Sequence, residues 1–267
     1  MTLSLFDRPA VLFLPASRAS AIDKARSSAA DLVILDLEDA VRPDDKDSAR
    51  AAAVAAISQD WPMPVAIRIN GVGSDWHGAD LAAVLPLIGT PIVLPSVRRL
   101  DELRGASSVI GRPLITMVET AEAVLNLREL SAHSAGLIVG TNDLAADLRL
   151  PGVDRSAMSY ALQATLLAAR AARIPVFDGV FNRLDDPAGL AAEAATSRAL
   201  GFDGKSLIHP DQIAACHAAF APSADELARA HRLVAAATDG ATRFEDEMVE
   251  AMHVAAARRL IERYGSR

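Results

Sequence analysis

The sequence predicts an α/β chain folded as a (β/α)8 barrel with a C-terminal helical extension. Three observations carry that prediction. Short apolar runs rich in Val, Ile and Leu alternate with helix-length segments eight times, and regular strand–helix alternation argues a parallel sheet. Eight such units in 267 residues match the roughly 250 that a closed barrel takes. Hydrophobic residues make up 51% of the chain but aromatics only 4%, which suits Ala, Leu, Val and Ile packed between helices and buried strands better than an all-β sandwich. A doubly wound open sheet is the alternative topology.

The units follow in order. Ala10 to Leu14 is the first apolar run, stopped by Pro15 and followed by a polar helix over Ser20 to Ala30. The second run, Leu32 to Leu37, ends in Glu38-Asp39. A charged turn, Arg42 to Lys46, leads to an Ala-rich helix over Asp47 to Ile57. Val65 to Ile69 is the third run, and a Gly-rich loop from Gly71 to Gly78 precedes a helix over Ala79 to Leu87. Ile92 to Val97, then a short helix over Asp101 to Ser107, make the fourth unit. Leu114 to Val118 and a helix over Thr120 to Ser131 make the fifth. Leu137 to Val139 is the sixth run, with a long helix from Asp154 or Ser156 to Arg173. Ile174 to Val180 and the helix Pro187 to Leu200 make the seventh. Lys205 to Ile208 is the eighth run, and the rest from Asp211 reads as helix with a break at Pro222. The barrel is therefore expected over 1–222 and a helical arm over 223–267, belonging to the same domain or packing on a neighbouring subunit. Arg243 to Arg263 lacks Pro and Gly and is expected to be one helix.

Composition excludes several classes. The formal net charge is −7 with no basic stripe carrying interleaved aromatics, which argues against nucleic acid as a partner. No apolar run approaches membrane-spanning length, so no membrane partner is expected. Cys216 is the single cysteine, so no internal disulfide framework exists. A cytoplasmic location is the expectation. The six histidines show no zinc-site spacing. Gly201-Phe-Asp-Gly204-Lys205-Ser206 lacks the Walker spacing, and Gly71-Val-Gly73 lacks the third glycine of a dinucleotide fingerprint.

Barrel chemistry sits at the C-terminal ends of the strands. Those ends give Arg18, then Asp36, Glu38 and Asp39, then Arg68 and Asn70, then Ser96 and Arg98, then Glu119, Asp143, Asp178 and His209. Period-two geometry puts Asp36 with Glu38 on one face of its strand, and likewise Arg68 with Asn70 on one face of the next. The stretch from Pro113 to Asp143 holds two apolar runs, each ending in a carboxylate, Glu119 and Asp143. Two carboxylates at one end of a parallel sheet suit a hard divalent cation. The competing reading makes them helix N-caps, which fits Asp143 better than Glu119.

With those residues in place the sequence resembles the HpcH/HpaI aldolase/citrate lyase family, in its citrate lyase β-subunit-like (CitE-like) branch. The matching segments are Leu-Phe-Leu-Pro-Ala-Ser-Arg18, Ile-Leu-Asp-Leu-Glu38-Asp39-Ala-Val, Lys46-Asp-Ser-Ala-Arg50, Ile-Arg68-Ile-Asn70-Gly, Val-Glu119-Thr-Ala, Gly-Thr-Asn-Asp143-Leu-Ala and Gly201-Phe-Asp-Gly-Lys-Ser-Leu-Ile-His209-Pro. They are collinear and span nearly the whole chain.

The resemblance implies a Mg2+ ion (Mn2+ in its place) held by Glu119 and Asp143. It implies Arg68 beside a bound 2-oxo acid, and a homo-oligomer that is a trimer or a multiple of one. The activity it implies is cleavage or formation of a carbon–carbon bond in a short hydroxyacyl-CoA ester such as malyl-, citramalyl- or citryl-CoA. Glu38 and Asp39 are then expected to orient Arg68 or metal-bound water. Arg18 and Lys24 are candidates for the phosphates of the CoA thioester, with ordinary surface charge the competing reading for Lys24. Two departures stand out: Pro95-Ser96 where many members have Pro-Lys, and Met248-Val249-Glu250 where many have Met-Val-Asp. Glu250 is expected either to reach a neighbouring subunit's site or to lie on a solvated helix. A CoA-free aldolase acting on 2-oxo acids and a non-autonomous lyase subunit are the rival functions.

Overall fold

The computed structural model describes residues 5–6, 8–237 and 240–265. Eight parallel strands close into a (β/α)8, or TIM, barrel in sequence order. They are β1 (Ala10–Pro15), β2 (Leu32–Asp36), β3 (Val65–Arg68), β4 (Ile92–Leu94), β5 (Leu114–Val118), β6 (Ser134–Val139), β7 (Val176–Asp178) and β8 (Gly204–Leu207). Closure is made by β1, which pairs with β2 on one side and β8 on the other. The surrounding helices are α1 (Ala19–Arg26), α2 (Lys46–Ile57), α3 (His77–Val84), α4 (Leu100–Ile110), α5 (Ala121–Leu125), α6 (Leu127–Ala132), α7 (Thr141–Asp147), α8 (Ser159–Ala172), α9 (Pro187–Leu200) and α10 (Ile213–Phe220).

Every residue of β2, β3, β4 and β5 is buried. Parallel strands are covered on both faces, which is why they stand in the sequence as continuous apolar runs. Val11, Ile34, Ala66, Val93, Ile115, Met117, Ile138 and Phe177 belong to one buried cluster. This cluster sets the phase of each strand. Because side chains alternate between faces, Asp36 follows Ile34 inward, Arg68 follows Ala66, and Glu119 follows Ile115 and Met117. Asp178 follows Phe177 by one residue and so faces outward.

The helical segments differ from expectation in three places. The fifth connection breaks at Asn126 into α5 and α6. The charged turn closes as a single 3-10 turn, Pro43–Asp45. The segment after β6 goes directly into α7, so Asp143 lies in a helical first turn rather than on a strand end.

The chain forms two compact units, Met1–His217 and Ala218–Arg267, where the sequence suggested a division at 222/223. In the second unit, Ser223 caps α11 (Ala224–Ala236) in a reciprocal capping box with Glu226. The single helix expected over Arg243 to Arg263 is not what forms. Strands β9 (Thr242–Phe244) and β10 (Glu247–Val249) make an antiparallel hairpin, and only then does α12 (Ala251–Tyr264) begin. Helix propensity yields here to packing. Phe244 and Val249 both enter a small core with Ala230, Leu233 and Ala257. Glu245 takes the tight turn at φ 48, the backbone region that two-residue hairpin loops require. Arg232 pairs with Glu245 at 2.8 Å, and Arg229 with Glu245 at 3.3 Å. Residues 238–239 and 266–267 of the expected helical run lie outside the described residues.

Candidate active site

The inward-facing ends of β2 and β3 build a clamp. Arg68 and Asp36 are register partners. The Arg68 guanidinium meets both oxygens of Asp36, Nε to Oδ1 at 2.6 Å and a terminal nitrogen to Oδ2 at 2.7 Å. Asp36 is further saturated by the backbone N–H groups of Glu38 (2.9 Å) and Ala40 (3.1 Å). The other terminal nitrogen of Arg68 points to Glu38 at 2.8 Å and lies 3.9 Å from Asp39. The Phe13 ring sits 5.3 Å below the guanidinium. Burial alone would lower the Arg68 pKa, but Asp36, by charge and hydrogen bonds, holds it further above its ordinary value. Arg68 is thus a fixed, permanently charged fork.

One guanidinium cannot neutralise three acids. Glu38 is pushed up to about 8, by burial first; Arg68 pulls the other way, while Asp39, Glu119 and Asp36 add repulsion.

Glu119 follows β5 and is 2% exposed. The cap of α5 is Thr120, whose side chain accepts from the Ala123 N–H at 3.1 Å, so the capping role expected as the alternative for Glu119 falls to its neighbour. One Glu119 oxygen, Oε1, accepts from the Ser96 N–H and from Ser96 Oγ, the latter at 3.1 Å. The other, Oε2, is buried with no hydrogen-bond partner. Burial pushes the Glu119 pKa up to about 7, Asp143 adds repulsion, and the Ser96 hydrogen bonds and Arg68 oppose it. Asp143 is also raised, by burial and then by Asp39. A Cβ at Gly140 would lie 2.7 Å from Glu119 Cβ and collide with Oε2, so only glycine lets Glu119 lie flat against the end of β6.

An orphaned buried carboxylate oxygen next to a second raised carboxylate calls for a cation. Glu119 and Asp143 fit Mg2+ or Mn2+, which take one or two carboxylates and complete the shell with water and substrate oxygens. No group of three or more His, Cys, Asp or Glu placed to hold a metal occurs among the described residues.

Beside these groups lies a cavity of about 380 Å3. Phe13, Met117 and Ile138 give it apolar walls, and Asp39, Arg68 and Asp143 give it charge. That volume suits a small ligand held by a few polar groups.

The other sequence candidates fall elsewhere. Arg18 is exposed at the head of α1, just past the end of β1. Lys24 is exposed in the last turn of α1, and a helix leaving the strand ends carries it away from them. Glu250 is exposed at the N-cap of α12 in the second unit, its N–H bonded to His253 Nδ1 at 2.9 Å. Asn70 does not share Arg68's surroundings, because the chain turns after β3. It bonds Lys46 at 2.7 Å and Asp80 at 2.6 Å instead. Asp178 faces away from the barrel interior, toward Lys205 at 3.0 Å, Arg155 at 3.0 Å and Ser197. His209 caps the turn Pro210–Gln212, accepting from the Asp211 N–H at 3.3 Å. The contacts that sequence reasoning missed are those of Ser96 and Gly140 with Glu119. Ser96 makes its contacts from the left-handed region, at φ 54, which no residue type announces, and a glycine after an apolar run signals only a turn or close approach.

The closed parallel barrel with its charged C-terminal mouth defines an α/β-barrel enzyme. The chain belongs to the HpcH/HpaI aldolase/citrate lyase family, whose model matches residues 9–210. A (3S)-malyl-CoA thioesterase of Cereibacter sphaeroides is 39% identical over 263 residues, covering 94% of this chain and 92% of the relative. A citrate lyase subunit beta-like protein of Mycobacterium tuberculosis is 34% identical, covering 96% of each. The crystal structure of protein CitE from Mycobacterium tuberculosis, in complex with magnesium, acetoacetate and coenzyme A, superposes with a TM-score of 0.86. It is 33% identical, and the match covers 98% of this chain and 100% of that one.

Proposed function

We propose that this enzyme cleaves, and in reverse forms, the carbon–carbon bond of a short 3-hydroxyacyl-CoA ester of the malyl-CoA type, with Mg2+ as cofactor. The observation that carries the reading is the orphaned, buried Glu119 oxygen packed against Gly140, which lines the same cavity as Asp143 and a clamped Arg68. The relatives support the cofactor and the ester. CitE is described with magnesium and coenzyme A, and the Cereibacter sphaeroides protein is named for malyl-CoA.

Cleavage removes the proton of the 3-hydroxyl and breaks the C2–C3 bond, which leaves a carbonyl on the 2-oxo acid and an enolate on the thioester fragment, and a proton then returns to the enolate carbon. Glu119 and Asp143 would hold the cation, which would supply Lewis-acid polarisation of oxygens on the 2-oxo acid half. Arg68 adds fixed positive charge without reorganising, because Asp36 already holds it in place. Glu38 and Asp39 keep the free edge of that guanidinium aimed into the cavity. Glu250, exposed at the head of α12, is assigned to polarise the hydroxyl or a water in the site of a neighbouring copy. Glu250→Gln should then slow turnover about a hundredfold while Glu250→Asp keeps it; parent-like rates for Glu250→Gln reduce that segment to packing.

Arg18 is assigned to the CoA phosphates, whereas Lys24 is left as surface charge. Arg18→Ala should raise KM for the acyl-CoA with less effect on kcat, the mark of lost uniform binding, and the affinity of the parent should fall with salt. An unchanged KM removes Arg18 from the site. We also assign a homo-oligomer, a trimer or a multiple of one, and a cytoplasmic location. No helix among the described residues is long and apolar enough to cross a membrane.

A second reading, hydrolysis of the thioester, is favoured by the 39% identity to a protein named as a malyl-CoA thioesterase. Purified protein with malyl-CoA and Mg2+ separates the two. Glyoxylate with acetyl-CoA marks carbon–carbon cleavage, and malate with free CoA marks hydrolysis. Turnover of free 2-oxo acids and aldehydes, with none on the CoA ester, would leave the CoA-free aldolase. No turnover of either overturns the proposal and leaves a subunit that needs partners.

A further inference from the structure

Ser96 stands two residues past β4 with φ 54. That is the left-handed region, which serine rarely adopts, and outliers of this kind persist where surrounding contacts over-determine them. The contacts here are specific. In this conformation the Ser96 N–H and Oγ both reach the same atom, Oε1 of Glu119. The segment that follows it is pinned. Val97 is buried, the Arg98 N–H donates to Glu102 at 2.8 Å, and the Arg98 carbonyl accepts from Asn126 at 2.9 Å. Gly71 leaves room beside the serine, since a Cβ there would already stand 3.4 Å from Ser96 Cβ.

Two donors on one oxygen fix the rotation of a carboxylate, and Glu119 is too confined by Gly140 to find another arrangement. The remaining oxygen, Oε2, is buried and unpartnered. We propose that Ser96 is a positioning residue for the cation: it occupies Oε1 and thereby presents Oε2 alone, already oriented, toward Asp143 and the metal. The hydroxyl also removes the rotational freedom that the cation would otherwise have to freeze on binding. This rests on the assignment of Glu119 and Asp143 as the cation's ligands.

The test is a titration of the metal-free protein with Mn2+, followed by the electron paramagnetic resonance signal of the free ion, for the parent, Ser96→Ala, Ser96→Gly and Glu119→Gln. Loss of one charge-assisted hydrogen bond should weaken Mn2+ binding about tenfold in both Ser96 variants. Ser96→Gly relaxes the backbone and keeps the N–H, so it remains informative if Ser96→Ala folds poorly. Turnover of both variants on a confirmed substrate should recover toward the parent as Mg2+ is raised. A merely structural role of the loop would lower thermal stability without that recovery. Mn2+ affinities within about twofold of the parent in both Ser96 variants, with Glu119→Gln no longer binding, overturn the role of Ser96 and leave the metal site standing. Parent-like binding by Glu119→Gln overturns the metal assignment, and the role of Ser96 with it.

Discussion

Glu119→Gln and Asp143→Asn are each expected to abolish divalent-cation binding and turnover together, by more than about a hundredfold. The fold should survive, and without metal Glu119→Gln should gain stability at neutral pH. The reason is electrostatic. Glu119 ionises at about 7 in the fold against an ordinary 4.5, so between those values the fold holds a proton that the unfolded chain has released. Stability from this group is therefore greatest below about pH 4.5 and declines as pH rises through about 7. Glu38, pushed up to about 8, acts in the same direction and extends the decline. Mg2+ should reverse the Glu119 part, giving a thermal shift that grows from pH 6 to pH 8 in the parent and is missing in Glu119→Gln. Thermal melts in EDTA and in Mg2+ across that range check both signs. A pH-independent Mg2+ shift shared by parent and Glu119→Gln would place the cation elsewhere.

Arg68→Ala is expected to lose about a hundred- to a thousandfold in kcat and also to destabilise the protein. Removing one partner of a buried pair leaves Asp36 uncompensated, at a cost of about 3–5 kcal/mol. Asp36 is 1% exposed and has its oxygens committed to Arg68. Arg68→Lys keeps a charge but cannot make the bidentate contact, so it should recover part of the stability and little of the rate. The Arg68→Ala/Asp36→Ala double variant should be more stable than Arg68→Ala alone, yet no more active. Urea unfolding and steady-state kinetics on these proteins and on Asp36→Ala separate the clamp's structural part from its chemical one. A double variant as destabilised as the sum of the two singles would mean that Arg68 and Asp36 act independently.

Much of this was legible in the sequence, for a physical reason. Parallel strands are buried on both faces, so they appear as apolar runs that end where the chain meets the charged mouth. The ends of β2, β3 and β5 could therefore be read directly, and Glu38, Asp39, Arg68 and Glu119 gather at one end of the barrel. What escaped was anything set by a single step of phase or by backbone conformation. Asp178 ends a strand as Asp36 does, but Phe177 fills the interior and turns it outward. Asn70 obeys strand parity on paper, but β3 stops at Arg68. The hairpin at Glu245 was hidden beneath a helix-favouring composition, because only the small core around Phe244 and Val249 demands it. The left-handed Ser96 is invisible to any reading of residue types, since nothing in a serine announces its φ.

The most direct test of the central claim, that Glu119 and Asp143 together hold the cation at the mouth of this barrel, is crystallographic. Crystals grown with Mn2+ should give an anomalous difference peak with a carboxylate oxygen of each residue about 2.0–2.5 Å away, the Glu119 oxygen being Oε2, on the same cavity as the Arg68 guanidinium. A fully occupied peak at another cluster, or well-ordered Glu119 and Asp143 side chains with no peak between them at saturating Mn2+, would contradict it.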